Sequence, residues 1–276
     1  MKVSELMDLI KPYQDYDDVS FEQMKLIFGE EPKFDIRRFY KKINVLDHGF
    51  VELIDGPAED PRLKIVNAAR VSFAKESKEL SEKDEKLVSF LQREGHLSTF
   101  RHSYFTFRIR LPLCVFRQFW KYQIGSEWME NDDVGSIQLP DKGTCWSEES
   151  GRYVQFEPLF WVPEHVRIQS KNNKQGSSGK LDVLPDGTDP VERYKAACLN
   201  SFKEYEYLLA AGAAKEQCRG MLPQSVYTTA IWTASLQAVL FMLSQRLPED
   251  AQGENREAAF AFRDIVEPIL SPLKLI

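Results

Sequence analysis

The chain has 276 residues, 43% of them hydrophobic and 28% charged, with a formal net charge of −6 and a pI near 5.4. That length allows one domain with a sizeable core, and the acidic balance excludes a protein that coats nucleic acid, whose footprint is basic. No apolar run reaches the ~18 residues of a membrane span, no secretory signal pattern opens the sequence, and Cys114, Cys145, Cys198 and Cys218 lack CxxC or metal-type spacing. Four scattered histidines add no metal site. The expectation is a soluble cytoplasmic protein with free thiols, no metal, and neither nucleic acid nor membrane as partner.

Residues 1–42 read as a helical extension. Within it Ser20 and Gln23 have the form of a capping box opening a short helix through Ile27, which Gly29 ends. Val45 to Ile54 reads as a strand stopped by Gly56-Pro57. Ser81 with Asp84 starts an amphipathic helix that places Leu87, Phe90 and Leu91 on one face and closes at Gly95. From Tyr104 to Leu111 the residues alternate, with Phe105, Phe107, Ile109 and Leu111 facing a core and Tyr104, Thr106, Arg108 and Arg110 facing away. Pro112 interrupts that pattern because it has no N–H for a ladder.

The segment 127–145 is an acidic insert (Glu127, Glu130, Asp132, Asp133 and Asp141 against Lys142), and its length favours a lid. Glycine and serine between Arg167 and Gly179 predict a mobile surface loop. Asp189-Pro190 is a capped helix start, after which Tyr194, Cys198, Phe202, Tyr205 and Leu209 share one face as far as Gly212. The run from Pro223 to Arg246 reads as a further helix, apolar around much of its circumference and so central to the core or to a subunit contact. A last helix, about Glu254 to Leu270, sets Phe260, Ile265 and Ile269 on one side.

Three segments carry more than structure. His96-Leu97-Ser98-Thr99-Phe100-Arg101-His102 precedes the alternating strand, and Arg117-Gln118-Phe119-Trp120-Lys121-Tyr122-Gln123-Ile124-Gly125-Ser126 follows it. Ser147-Glu148-Glu149-Ser150-Gly151-Arg152-Tyr153 follows the insert. In order and spacing, the insert apart, this resembles the signature of the flavin-dependent thymidylate synthases: H-x-[ST]-P-F-E-H, a strand, R-Q-W-x-R-H-R-x-x-S and N-E-x-S-x-R-Y. Val66–Phe73 is similar to the family's A-A-R-V-S segment, and Gln169–Ser177 to a Q-S-K-x-N-K-Q-G-S loop of some members. The resemblance starts at Ile43, which divides the chain into 1–42 and a catalytic domain, 43–276.

The resemblance implies an α/β (α+β) fold, a curved, mostly antiparallel sheet with packed helices, assembled as a homotetramer with active sites between subunits. It implies C5 methylation of dUMP to dTMP, with 5,10-methylenetetrahydrofolate and NADPH as co-substrates and FAD as cofactor. A pyrimidine deoxynucleotide and a folate are then the small-molecule partners, and no cysteine acts as nucleophile. Gln118, Glu148, Ser150, Arg152 and Arg219 are the implied contacts to phosphate and sugar, a task that suits arginine forks. Arg246 is the implied contact to the pyrimidine, where a fixed cation makes C5 nucleophilic; Arg246 and Ser150 are the catalytic candidates. The flavin side falls to Ser72, His96, Ser98, Arg101, Lys121, Tyr122, Gln123, Ser235 and Gln237.

Several of these positions depart from the signature. Lys121-Tyr122-Gln123 replace R-H-R, and Arg101 stands where glutamate is usual. Ser235 and Gln237 stand for asparagine and arginine, and Phe241 for asparagine. Nucleotide contacts are kept while flavin contacts are rewritten. Losing two or three charge-assisted bonds at ~1.5–3 kcal/mol each lowers FAD affinity unless Arg101 and Tyr122 compensate. Asp250 stands where the family often has histidine, and its carboxylate accepts hydrogen bonds that cytosine N4 donates. The rival expectations are a dCMP methylase or a dUMP/dCMP hydroxymethylase on the same scaffold, the latter able to work without flavin, and a catalytically silent nucleotide-binding subunit.

Overall fold

The structure, a computed structural model, describes residues 35–122, 146–174 and 176–270. The helix predicted after Ser20, the insert 127–145 and Gln123 lie outside the described residues.

Strands β1 (Lys42–Val45) and β2 (Gly49–Asp55) form a hairpin, so the single strand expected from Val45 to Ile54 is corrected. The break falls at Leu46, which adopts φ 57°, and the chain returns through Gly49. A Cβ at Gly49 would lie 2.7 Å from the Arg110 carbonyl oxygen and 2.8 Å from that of Val45, so only glycine fits between these backbones. Helix α1 (Pro61–Arg70) starts at Asp60, whose carboxylate accepts the Arg62 N–H at 2.9 Å, and runs into a 3-10 turn, Val71–Phe73. Helix α2 (Glu82–Arg93) has the predicted Ser81/Asp84 cap, and Gly95 follows at φ 72°. Its buried stripe is Asp84, Val88 and Leu91; Phe90 is exposed, its ring 6.2 Å from that of His96.

A 3-10 segment, Leu97–His102, leads into β3 (Tyr104–Pro112) and the short α3 (Leu113–Phe119). Next come β4 (Trp146–Glu148) and a separate hairpin of β5 (Arg167–Gln169) and β6 (Ser177–Lys180) within the segment expected to be a surface loop. Helix α4 (Pro190–Ala210) is capped by Asp189, which accepts from Val191 N and Glu192 N, and buries Cys198, Phe202 and Tyr205 as its spacing predicts. The chain closes with α5 (Lys215–Cys218), β7 (Tyr227–Ser235), α6 (Leu236–Arg246) and α7 (Gly253–Leu270).

Five strands make one antiparallel sheet in the order β1-β2-β3-β7-β4. The helix expected from Pro223 to Arg246 is therefore a strand followed by a helix. Tyr227, Thr228, Thr229, Ile231, Trp232 and Thr233 are aromatic or β-branched and suit a pleated surface. The strand is paired on both edges, and Tyr227 and Ser235 are buried out of step with the alternating Thr228, Ala230, Trp232 and Ala234, which blurs the period of two. Ser235 then caps α6, accepting the Ala238 N–H at 3.2 Å. Pro112 ends β3 opposite Tyr227, where its missing donor costs the ladder little.

The core lies between the sheet and helices α6 and α7. Phe105, Phe107, Ile109 and Leu111 are fully buried, as the alternation predicts. Phe262 meets Phe107 edge-on at 5.0 Å and Trp232 at 5.7 Å, and such a buried ring contributes ~1.5–3 kcal/mol. Phe262, not Phe260, is thus the core aromatic of α7; Phe260 carries Arg256 and Arg263 over its ring at 5.1 and 4.8 Å.

Candidate active site

Strand β7 gathers the first group of candidate side chains. β4 pairs with it, setting Glu148 opposite Ala230, and the Thr228 hydroxyl donates to Glu148 Oε1 at 2.8 Å. Beyond β4 the chain turns tightly. Tyr153 N and Val154 N donate to the Ser150 carbonyl at 2.9 and 3.1 Å, and Arg152 N approaches Ser150 Oγ at 3.3 Å. The turn rests on Arg219: a Cβ on the buried Gly151 would lie 2.5 Å from Phe156 Cε2 and 3.3 Å from Arg219 Cβ. Arg219 follows α5, whose Cys218 is buried with Phe202 and Tyr205. Arg152 faces Glu216 at 3.8 Å, and Lys215 Nζ donates to the Tyr153 carbonyl at 3.0 Å.

Glu148, Ser150, Arg152 and Arg219, the phosphate and sugar contacts that the resemblance implies, thus lie together in the fold. Two further members join them. Burial pushes the Glu148 carboxyl up, while the Thr228 hydroxyl and the charges of Arg219 and Arg117 pull it back. Arg117 and Thr228 were missed as site residues. Arg117 stands inside the quoted signature, and reading β7 as a helix hid the register that brings Thr228 to β4. Chemically the group is a set of guanidinium forks and hydroxyls around the Glu148 carboxylate, with Glu149 and Glu216 at its edge, suited to a sugar phosphate.

The lack of space at Gly151 gives a direct test. Gly151→Ala is expected to cost about 1–3 kcal/mol through overpacking against Phe156 and to weaken nucleotide binding by shifting Arg219. Thermal unfolding and nucleotide titration read the two effects, and unchanged values in both would disprove the contact.

Gln118 is engaged elsewhere. Its Nε2 donates to Gln252 Oε1 at 2.6 Å, Gln252 donates to Glu254 at 2.9 Å, and Glu254 pairs with Arg167 at 2.8 Å. Burial raises the Glu254 pKa, but hydrogen bonds from Arg167 and Gln252 outweigh it and hold the carboxyl below its ordinary range.

Arg246 ends α6, a place that suits a cation. Its Cζ is 5.4 Å from the centroid of the Tyr122 ring, and Tyr122 packs edge-on against Phe241 at 5.8 Å. Arg246 Nε is buried and finds no acceptor among the described residues. Asp250 is exposed in the turn after α6.

The remaining candidates lie around the Leu97–His102 segment and α1. Arg101 Nε donates to Gln237 Oε1 at 2.6 Å, so two departures from the signature meet each other. His96, Ser98, Ser72 and Lys121 are exposed, whereas Ser235 is fully buried as the cap of α6 and serves that helix. A cavity of about 730 Å³ opens beside this group, lined by Lys64, Asn67, Val71, Lys75 and His102 among others, a size that suits a small-molecule site. Its rim is braced where Asn67 Nδ2 donates to the Ser77 carbonyl at 2.9 Å and Ser77 N to Asn67 Oδ1 at 2.8 Å. Lys64, Lys75 and His102 offer nitrogen donors beside apolar Val71 and Ala68, as an anionic aromatic group such as FAD requires, and Glu59 and Glu76 share the lining.

Among known families, the one described as thymidylate synthase complementing protein matches residues 52–270. The flavin-dependent thymidylate synthase of Thermotoga neapolitana is 34% identical over 224 residues, 81% of this chain and 88% of its own. That of Kosmotoga olearia is 32% identical over 224 residues, 81% and 87% of the two chains. In three dimensions the chain is similar to a UMP/dUMP methylase, PolB from Streptomyces cacaoi, solved with 5-bromo-dUMP. The TM-score is 0.63 at 25% identity, over 85% of this chain and 99% of that one.

Proposed function

The chain belongs to the flavin-dependent thymidylate synthase family and is a methyltransferase; from that premise we propose that it methylates C5 of dUMP, giving dTMP, with 5,10-methylenetetrahydrofolate, FAD and NADPH. The observation that carries the reading is the convergence of Glu148, Arg219, Arg117 and the Ser150–Gly151 turn on one end of β7. In this reading Arg152, Arg219 and Arg117 hold the 5′-phosphate through planar forks. Glu148 accepts a sugar hydroxyl and Ser150 donates to the phosphate. Arg246 lies against the O4–N3 edge and stabilises the charge that develops there as C5 attacks the one-carbon unit.

Reduced FAD, when bound, supplies the hydride and the means of carrying the methylene. Ser72, His96, Ser98, Arg101 and the cavity beside His102 are the residues that would hold it. The Arg101–Gln237 contact orients the guanidinium without neutralising it, which suits a diphosphate. We take the working assembly to be a cytoplasmic homotetramer, with 43–276 as the catalytic domain and 1–42 as an accessory arm.

A second reading, methylation of UMP, is favoured by the named activity of the structural neighbour. One experiment tests both. Purified protein receives dUMP, UMP or dCMP with methylenetetrahydrofolate, NADPH and FAD; products are read by mass, and bound flavin by its visible spectrum. Stoichiometric FAD and dTMP from dUMP are expected. A product heavier by one oxygen would make the enzyme a hydroxymethylase, and turnover of dCMP in preference to dUMP would move the base specificity to Asp250. Nucleotide binding without turnover in all three would leave a silent subunit.

A further inference from the structure

Arg246 carries its charge into a half-buried place with no acceptor for Nε among the described residues. What touches it there is Tyr122, whose ring centroid lies 5.4 Å from Cζ. That ring is itself fixed. It is 4% exposed, it meets Phe241 at 5.8 Å and 70°, and its backbone N–H donates to the Phe119 carbonyl at 3.0 Å where α3 ends. Burial pushes the phenol pKa up, while the Arg246 charge and a hydrogen bond between the phenol oxygen and Arg246 pull the other way, with the net result raised, so the phenol stays neutral at physiological pH. A neutral ring orients a guanidinium through its quadrupole. A carboxylate would orient it too, but would cancel much of the field at the substrate.

We infer that Tyr122 is a positioning residue that seats Arg246 for the pyrimidine, and so works on the nucleotide side of the site, not on the flavin side where the sequence signature places it. Phe241, on the same helix as Arg246, backs the seat from its outer edge. The inference rests on the proposed contact of Arg246 with the base. It gives Arg246 an orientation fixed by shape while leaving its charge for the ligand.

The test isolates what the base contributes to binding. Calorimetric Kd values for dUMP and for deoxyribose 5-phosphate are measured on the flavin-loaded protein, and the Kd for deoxyribose 5-phosphate divided by that for dUMP reports the grip on the pyrimidine. Tyr122→Leu is expected to lower that ratio about tenfold, with deoxyribose 5-phosphate binding and FAD content unchanged. Tyr122→Phe restores most of it. A wild-type ratio near one would overturn the nucleotide reading and the seat with it. A wild-type preference that Tyr122→Leu leaves intact overturns the seat alone, as does a loss confined to FAD content. Should Tyr122→Leu fail to fold, Phe241→Ala, at a position 42% exposed, takes its place. A fall of about threefold in the ratio is then expected, and an unchanged ratio is the contrary result.

Discussion

Replacing Arg246 by alanine is expected to lower kcat for methylation of dUMP by about 10²–10³-fold, the usual loss when one preorganised group facing the developing charge is removed. The guanidinium has a fixed ring contact and an Nε without an acceptor among the described residues, so its removal leaves no carboxylate there stranded. The thermal midpoint should accordingly stay close to that of the parent. Arg152 and Arg219 still hold the phosphate, so Kd for dUMP rises far less than kcat falls. Arg246→Lys keeps the charge without the planar fork and falls between the two. Steady-state kinetics at saturating dUMP, with a melting curve alongside, check the expectation. A kcat within threefold of the parent would sink the assignment of Arg246.

The second large effect is on stability, at Asp84. Its carboxylate is 1% exposed and does two tasks at once: it accepts the Ser81 N–H at 2.9 Å and hydroxyl at 2.7 Å, capping α2, and it pairs with Arg70 at the end of α1. Arg70 also donates to the Ser77 hydroxyl, and Ser77 is the residue that Asn67 holds at the cavity rim. Asp84→Ala breaks the cap and strands a half-buried guanidinium, at a cost of about 3 kcal/mol. That corresponds to a fall of roughly 6–12 °C in Tm. Flavin affinity should fall with it, because the rim loses its brace.

The pH dependence follows from the same contacts. Burial raises the Asp84 pKa, but the Ser81 hydrogen bonds and Arg70 outweigh it, so the folded value lies below the ordinary one. The contribution is therefore fully present above pH ~4 and is lost as pH falls through the folded value. The difference in stability between parent and Asp84→Ala should shrink below pH ~4. A difference that stays constant as pH falls would contradict this account.

What the sequence made legible was local. The β3 strand shows its period because one face is buried and the other is not. The caps at Ser81 and Asp189 lie within three residues of their partners. β7 defeated the reading because Tyr227 and Ser235 are buried out of step with its alternation, Thr228 puts a polar residue on the buried face, and α6 follows without a turn residue. The hairpin at Leu46 was hidden because φ > 0 is rare for leucine. In the candidate site, Glu148, Ser150 and Arg152 could be named together because they share one short motif, which the chain folds as the end of β4 and the turn after it. Thr228 meets Glu148 only through strand register, and Arg101 meets Gln237 across 136 positions of sequence. No spacing within a window encodes such contacts.

The ladder between β3 and β7 joins Pro112 to Tyr227 and Tyr104 to Ser235, 115 and 131 positions apart. Pairings this distant in sequence are closed late, in the millisecond-to-second regime of non-local sheets. Arg117, Glu148, Arg152 and Arg219 all sit inside the loop that this pairing closes. During translation they have no template strand until Ser235 has left the exit tunnel, so affinity for a nucleotide arises late and all at once. A nascent chain stalled before Tyr227 would present β3, with Phe105 and Phe107, as an unpaired apolar edge, the form most prone to aggregate and most in need of a chaperone.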